Sequence, residues 1–339
     1  MPKRPTLKTI GQAAGLSHVA VSKALRDAPD ISAATKERVR RIAEELGYTP
    51  NVAARNLYLQ RTSTIGMVVP AMGDNTAYDL IFNEISAAAA ELGFCVMLGS
   101  SHRSTALEER HCRMMVGNQV GALIVAPCTS GVSHIKTACG PTPVIFIGGK
   151  TALEEEYALV CDYRHSGTLA VEHLTGLGHR DIALLTYEPE NRTILQKEEG
   201  FSAAMESRGL TPRILRAGNA ADAMRAGMDA VELLLEGGAP PTAVWCASDY
   251  MAVGTISALR SRGLSVPGDV SVMGHDDLYS GLYPGTGLTT LRTPMAEIGK
   301  AAVELAIALI EHDGEIHPRQ VFRPSLVVRG STGPVNGRP

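Results

Sequence analysis

Four unbroken apolar runs, spaced by helix-length stretches, most constrain what this chain can fold into. They are TIGMVVP (64–70), FCVMLGS (94–100), GALIVAP (121–127) and TPVIFIG (142–148). None alternates apolar with polar residues, so each reads as a strand buried on both faces, as in a parallel sheet covered by helices. The segments between them, such as residues 77–92, carry helical patterns, and strands alternating with helices imply crossover connections. The pattern begins again after about Asp162. HSGTLAVEHLTGLGHR reads as a helix with a glycine stop and DIALLTY as a strand. A helix near 193–208, PRILRAG, a helix near 221–236, TAVWCAS, a helix near 249–262 and DVSVMGH follow. The body is therefore α/β, in two similar halves.

Residues 1–61 are different. They hold eleven Lys/Arg and five Asp/Glu, whereas the rest of the chain holds twenty-one and thirty. A basic head on an acidic body suggests that the head alone meets a polyanion; a solvated charged surface explains the count equally well. A first helix is expected over Leu7 to Ala14 with Thr6 as N-cap, then a turn at Gly15, then a second helix over residues 18–25 capped by Ser17. Val21, Ala24 and Leu25 make its buried stripe by their i, i+3, i+4 spacing. His18, Val19, Ser22, Lys23 and Arg26 lie off that stripe, a face suited to a DNA major groove. A third helix follows Ser32, with Val39, Ile42, Ala43 and Leu46 as its apolar face and Gly47 at its end. Three short helices around a glycine turn describe a helix-turn-helix domain. The next segment, NVAARNLYLQ (51–60), is too short and too poor in apolar surface to fold alone. It reads as a linker, or as a helix that orders on DNA and pushes Leu57 between base steps of the minor groove.

Other classes find little support. The cysteines at 95, 112, 128, 139, 161 and 246 form no CxxC pair and suit neither a disulfide scaffold nor a zinc site. No apolar h-region follows the basic residues at the start, and no run of about 18 apolar residues occurs, so a cytoplasmic, soluble protein is expected. No GxxxxGK[ST], HExxH, GxSxG or well-placed GxGxxG appears, which argues against an enzyme, and no cofactor or metal is expected. A free-standing sugar-binding protein would account for the body but not for the head.

The order AAGLSHVAVSKAL, then ISAATKERVRRIAEELGYTPNVAARNL, resembles the head of the LacI/GalR family of bacterial regulators. The body resembles that family's periplasmic-binding-protein-like effector domain, most firmly in AVEHLTGLGHRDIALL, AVWCASDYMAVGTISALRSRGLSVPGDVSVMGHDD and GLTTLRTP. The resemblance implies a helix-turn-helix domain over residues 1–48, a hinge helix and linker over 49–62, and an effector-binding and dimerisation domain over 63–333. Its first subdomain would take about 63–161 and 292–321 and its second about 162–290 and 324–333, with crossovers near 160–163, 289–292 and 321–324. It implies a homodimer on a palindromic operator, released from or retained on DNA by a small effector. By the same resemblance Thr6, Ser17, His18, Val19, Ser22, Lys23 and Arg26 contact DNA from the head. Asn51, Ala54, Arg55 and Leu57 do so from the hinge, with Leu57 as the wedge. Two residues depart from the family pattern: Thr9 stands for a usual acid and Gly11 for a usual alanine, the latter costing about 1 kcal/mol of helix stability.

The resemblance also assigns an effector cleft at the strands' carboxyl ends. Lys197, three residues before the glycine of an expected turn at Glu199-Gly200-Phe201, matches a residue that grips the effector. Ser248 and Asp249, and Asp276, match strand-end positions, and Asn75 and Tyr78 match cleft positions after the first strand. Arg192 is placed to face the cleft. Helix capping is as good a role for Asp249 as ligand contact. Many sugar-binding relatives carry an aromatic where this chain has GNAADAM (218–224). That absence, with Arg192 and Lys197 available for a carboxylate, points to an open-chain or acidic sugar, and NRTILQKEEGF is similar to the gluconate-type repressors of the family.

Overall fold

The computed structural model describes residues 5–48, 62–73, 77–129, 131–148, 157–188, 192–219, 222–236, 240–278, 287–312, 316 and 318–335. The chain divides into two compact units, Met1–Arg61 and Thr62–Pro339.

The first unit contains α1 (Leu7–Ala14), α2 (His18–Leu25) and α3 (Ala33–Glu45). Each start is fixed by a hydroxyl. Thr6 Oγ1 accepts from the Thr9 amide, Ser17 Oγ from Ala20 and Ser32 Oγ from Thr35. Thr9 returns the bond, its Oγ1 accepting from the Thr6 amide at 3.2 Å. The residue that departs from the family pattern thus closes a capping box with a hydroxyl where an acid would use a carboxylate. Gly15 ends α1 in the left-handed conformation, φ 64°. Ile10, Ala14, Val21, Ala24, Val39 and Ala43 make the small core. Leu46, expected on the apolar face, is exposed at the end of α3.

Gly11 has a packing reason. A Cβ there would lie 2.6 Å from the carbonyl oxygen of Leu16, because the turn folds tightly back and the Leu16 amide donates to Gly11 at 2.9 Å. The glycine permits the close approach and is not merely a weak helix former.

The second unit opens with β1 (Thr64–Val69), α4 (Ala77–Glu91), β2 (Cys95–Ser100), α5 (Thr105–Gly117), β3 (Ala122–Val125), α6 (Ser133–Cys139), β4 (Val144–Ile147) and β5 (Tyr157–Cys161). It continues through α7 (Tyr163–Gly176), β6 (Ile182–Thr186), α8 (Arg192–Glu206), β7 (Arg213–Arg216), α9 (Ala223–Glu236), β8 (Ala243–Cys246), α10 (Asp249–Ser261) and β9 (Ser271–Met273). It closes with β10 (Thr290–Arg292), α11 (Met295–Glu311), β11 (Arg319–Phe322) and β12 (Ser325–Val327). One parallel sheet has the order β11-β5-β4-β3-β1-β2 and the other β7-β6-β8-β9, with β10 and β12 paired antiparallel beyond β9. Single bridges from Met273 to Thr289 and from Asp276 to Arg292 tie that ribbon to the second sheet. The chain passes between the two layers after Cys161, after Arg292 and after Phe322. β5, β10, β11 and β12 and the long helix α11 were not separately marked by the sequence pattern.

Two helix pairs in the second half touch backbone to backbone. A Cβ on Gly200 of α8 would lie 2.1 Å from Arg164 O of α7, and one on Gly167 of α7 2.1 Å from Phe201 N. Gly227 of α9 and Gly254 of α10 repeat the arrangement, 2.1 Å from Met251 O and 2.0 Å from Met224 O. Glu199-Gly200-Phe201 is therefore helix interior, not a turn. Its glycine serves the approach of α7.

Candidate effector cavity and DNA-facing helix

Parallel strands leave their carboxyl ends free of crossover helices, and the loops from both sheets converge there on one cavity of about 410 Å3. That volume suits a small metabolite. Ala71 follows β1, Arg103 follows β2, Ala126 and Pro127 follow β3, Tyr187 follows β6, Ser248 follows β8 and Asp276 follows β9.

Lys197, on the inner face of α8, is 3 % exposed and lines the cavity. Its Nζ donates to Ala247 O at 2.8 Å and lies 5.2 Å from the centre of the Tyr163 ring. Burial lowers its pKa, opposed by the charge of Asp276. Asp276 stands in the left-handed region, φ 101°. Burial works to raise its pKa, but the charge of Lys197 and hydrogen bonds from His275 and Thr293 outweigh burial and hold the carboxyl below its ordinary range. Ser248 caps α10 by accepting from the Met251 amide, and its hydroxyl is hydrogen-bonded to Tyr187 Oη at 2.6 Å. Tyr78 lines the first-half wall, its phenol pushed up to about 12 by burial.

Asp249 is a correction. It does not line the cavity, and the α10 cap is Ser248. Asp249 is 5 % exposed, with Oδ1 accepting from Thr290 Oγ1 at 2.5 Å and Oδ2 from the Leu278 amide at 2.7 Å. Gly274 makes room for it, since a Cβ there would lie 2.3 Å from Oδ1. Asp249 tethers the Asp276 loop and β10 to α10. Asn75 and the side chain of Arg192 lie outside the described residues.

The cavity does not lack aromatics. Residues 218–224 hold none, but Tyr78, Tyr163, Tyr187 and Tyr250 line the cavity from other elements. Arg103, Thr193, Asp222 and Thr293 line it too and were not singled out in the sequence. Tyr163 and Tyr187 sit just past the carboxyl ends of β5 and β6, where the strand-end rule would have found them. Arg103, with φ 62° in the turn after β2, carries no comparable signal.

On the head, Ser17, His18, Val19 and Arg26 are exposed and Ser22 and Lys23 half-buried. Val19 is 51 % exposed, a large apolar side chain that the head's own core leaves in solvent. Lys23 Nζ pairs with Asp30 at 2.5 Å in a solvent-facing contact. Arg26 Nε donates to Ser22 O at 3.2 Å, and Thr6 is engaged in its capping box. Asn51, Ala54, Arg55 and Leu57 lie outside the described residues.

Known proteins share both parts. The family model for bacterial regulatory proteins of the lacI family matches residues 6–51, and that for a periplasmic binding protein-like domain matches residues 171–332. The crystal structure of the lac repressor dimer bound to operator and the anti-inducer ONPF superposes with a TM-score of 0.87 at 26% identity, covering 98% of this chain and 100% of that one. Both parts of this chain are thus similar to those of LacI-family regulators. The HTH-type transcriptional regulator AscG of Escherichia coli (strain K12) is 29% identical over 333 residues, 96% of this chain and 98% of its own. The repressor PurR of Histophilus somni (strain 129Pt) is 28% identical over 335 residues, with the same coverage. A complex of the regulator CelR with cellobiose has a TM-score of 0.68 at 26% identity, covering 97% of this chain and 100% of that one.

Alike to such regulators over both its parts, the chain is a DNA-binding, ligand-responsive transcriptional regulator. Among the described residues no helix is long and apolar enough to cross a membrane.

Proposed function

We propose that this regulator is a cytoplasmic homodimeric repressor of carbohydrate-metabolism genes, answering to a small sugar or sugar acid. The observation that carries the effector reading is the cavity itself. A buried cation, Lys197, and a half-buried carboxylate, Asp276, meet the hydroxyls of Ser248 and Tyr78 in a space of about 410 Å3, donors and acceptors in the mixture a polyol needs. Lys197 and Asp276 offset each other's charge, so they serve hydroxyls best. The carboxylate of a gluconate-like acid would go to Arg103, whose guanidinium has no hydrogen-bond or ion-pair partner among the described residues. The four lining tyrosines favour a second reading, a neutral pyranose stacked on a ring. The cellobiose complex of CelR lends that reading some weight.

On DNA, α2 enters the major groove with His18, Val19, Ser22 and Lys23 towards base edges and phosphates, and Val19 towards a thymine methyl. Thr6, Ser17 and Arg26 contact the backbone. Asn51, Ala54, Arg55 and Leu57 form the hinge contacts at the centre of a pseudo-palindrome. The effector acts by its different affinity for two arrangements of the subdomains, which sets whether the hinges pair.

A thermal-shift screen against sugars, aldonic acids, phosphosugars and nucleosides tests the effector assignment, because a ligand that binds only the folded state raises the melting temperature. Aldonic acids as hits support the Arg103 carboxylate reading. Neutral pyranoses alone support stacking, and nucleosides alone refute the sugar assignment.

A further inference from the structure

His275 makes no contact assigned above except with Asp276, yet it is fully buried. Its ring sits 5.7 Å from Tyr163 and 6.3 Å from Trp245, centre to centre. Its Nδ1 is 2.8 Å from Asp276 Oδ1, and its Nε2 is 3.0 Å from Ser166 Oγ on α7. An ionised carboxylate accepts only, so Nδ1 carries the proton. A neutral imidazole then leaves Nε2 as an acceptor, and the Ser166 hydroxyl donates to it. The groups form a directed chain: Ser166 O–H to Nε2, Nδ1–H to Oδ1.

The order serine, histidine, aspartate is that of a hydrolytic triad, but the geometry excludes the chemistry. Ser166 is fully buried, does not line the cavity, and lies beside Gly167, where α7 and α8 are in backbone contact. No substrate reaches its hydroxyl. The chain instead runs towards the cavity. Thr293 Oγ1 donates to the same Oδ1 at 3.3 Å, while Oδ2 of Asp276 has no hydrogen bond to any described residue. The Asp276 backbone is pinned as well, its amide donating to Leu291 O at 2.7 Å.

We infer that His275 is a positioning residue of the effector cavity. Relaying the Ser166 hydroxyl, it locks Oδ1 of Asp276 so that Oδ2 faces the ligand as a fixed acceptor for a hydroxyl. Pre-set acceptors raise affinity by removing the cost of ordering them on binding. The charged groups facing the imidazole are Asp276, on its own loop, and Lys197, from α8. Burial first, and then the Lys197 charge, keep it neutral. The inference rests on the cavity being the effector site, and its test separates the two.

Full-length protein labelled with 15N-histidine reports the ligand-free state, the His275 signals being those lost in H275N. The relay requires the Nδ1–H tautomer, unchanged between pH 6 and 8, and an Nε2 signal that moves in S166A. An Nε2–H tautomer, or titration of His275 inside that range, overturns it. Calorimetric titrations with D-gluconate and D-glucose then compare wild type, H275F and H275N. Phenylalanine keeps the ring packing and loses the donor, so affinity for whichever probe binds falls about tenfold or more. Asparagine restores an N–H near the Nδ1 position and stays within about threefold. Equal losses in H275F and H275N overturn the relay in favour of a packing role. If neither probe binds the wild type, the gluconate and glucose readings of the cavity fail, while the tautomer still decides the relay.

Discussion

Replacing Asp249 with asparagine gives a stability difference whose sign depends on pH. Burial is the largest influence on this carboxyl and pushes it up to about 7, against hydrogen bonds from Thr290 and the Leu278 amide that lower it. In the unfolded chain an aspartate titrates near 3.9. The native state therefore binds the proton more tightly, and stability falls as pH rises from about 4 to about 7. About three pKa units at 1.36 kcal/mol each set a ceiling of about 4 kcal/mol on the cost of the ionised form. Asparagine removes that cost at high pH. It keeps an acceptor for the Leu278 amide but offers Thr290 an N–H where there was an oxygen, a loss of about 1–2 kcal/mol at every pH. The expected result is that D249N is less stable than wild type by about 1 kcal/mol at pH 4, about equal to it at pH 5, and more stable by about 2–3 kcal/mol at pH 8. Trp245, the sole tryptophan and fully buried in the same half, supplies the probe. Urea denaturation followed by its fluorescence, at pH 4, 5, 6, 7 and 8, measures the difference directly. A D249N effect that stays constant across that range would refute the buried-carboxylate reasoning, whatever its sign.

Gly200→Ala gains about 1 kcal/mol of helix propensity but drives a methyl into Arg164 O, so a net loss of about 2 kcal/mol is expected in urea titration. Because the same displacement moves Lys197, binding of any thermal-shift hit should weaken too; a stabilised G200A would show that α7 and α8 yield easily. Gly11→Ala should lower the melting midpoint of the head in calorimetry, since the Leu16 carbonyl is in the way. A rise of several degrees would mean that propensity decides at this site. Asp30→Asn frees Lys23 from an exposed contact and removes a negative charge near the DNA-facing helix. Operator affinity should rise about two- to threefold at moderate salt and the rise should vanish in the K23A background. Leu57→Ala should weaken operator binding more than binding to random DNA in fluorescence anisotropy, and equal losses would remove the wedge role.

The residues that could be read from the sequence are those whose neighbours along the chain decide their structure. TIGMVVP and GALIVAP are strands because a continuous apolar run has few other uses in a chain of alternating elements, and Ser17 and Ser32 are caps because a hydroxyl three residues before a free amide satisfies it locally. β10, β11 and β12 are three or four residues long and mixed in polarity. Only pairing with a strand from elsewhere makes them strands. The cavity divides in the same way. Lys197, Ser248, Asp276 and Tyr78 were found because they stand at strand ends or in a family pattern. A carboxylate at a helix start reads alike as a cap, a ligand contact or a buried tether. Asp249 is the third because Thr290, 41 residues away in sequence, donates to it and Gly274 leaves it room. The family resemblance places a turn at Gly200 although the residue pattern runs a helix through it, and the glycine's own purpose, a close approach, shows only when the second backbone, here that of Arg164, is in view. The same long-range partners carry the relay argument. His275 and Ser166 are 109 residues apart, and nothing in GHDD marks its histidine as anything but a core side chain until the hydroxyl on α7 and the cavity-facing carboxylate stand on either side of it.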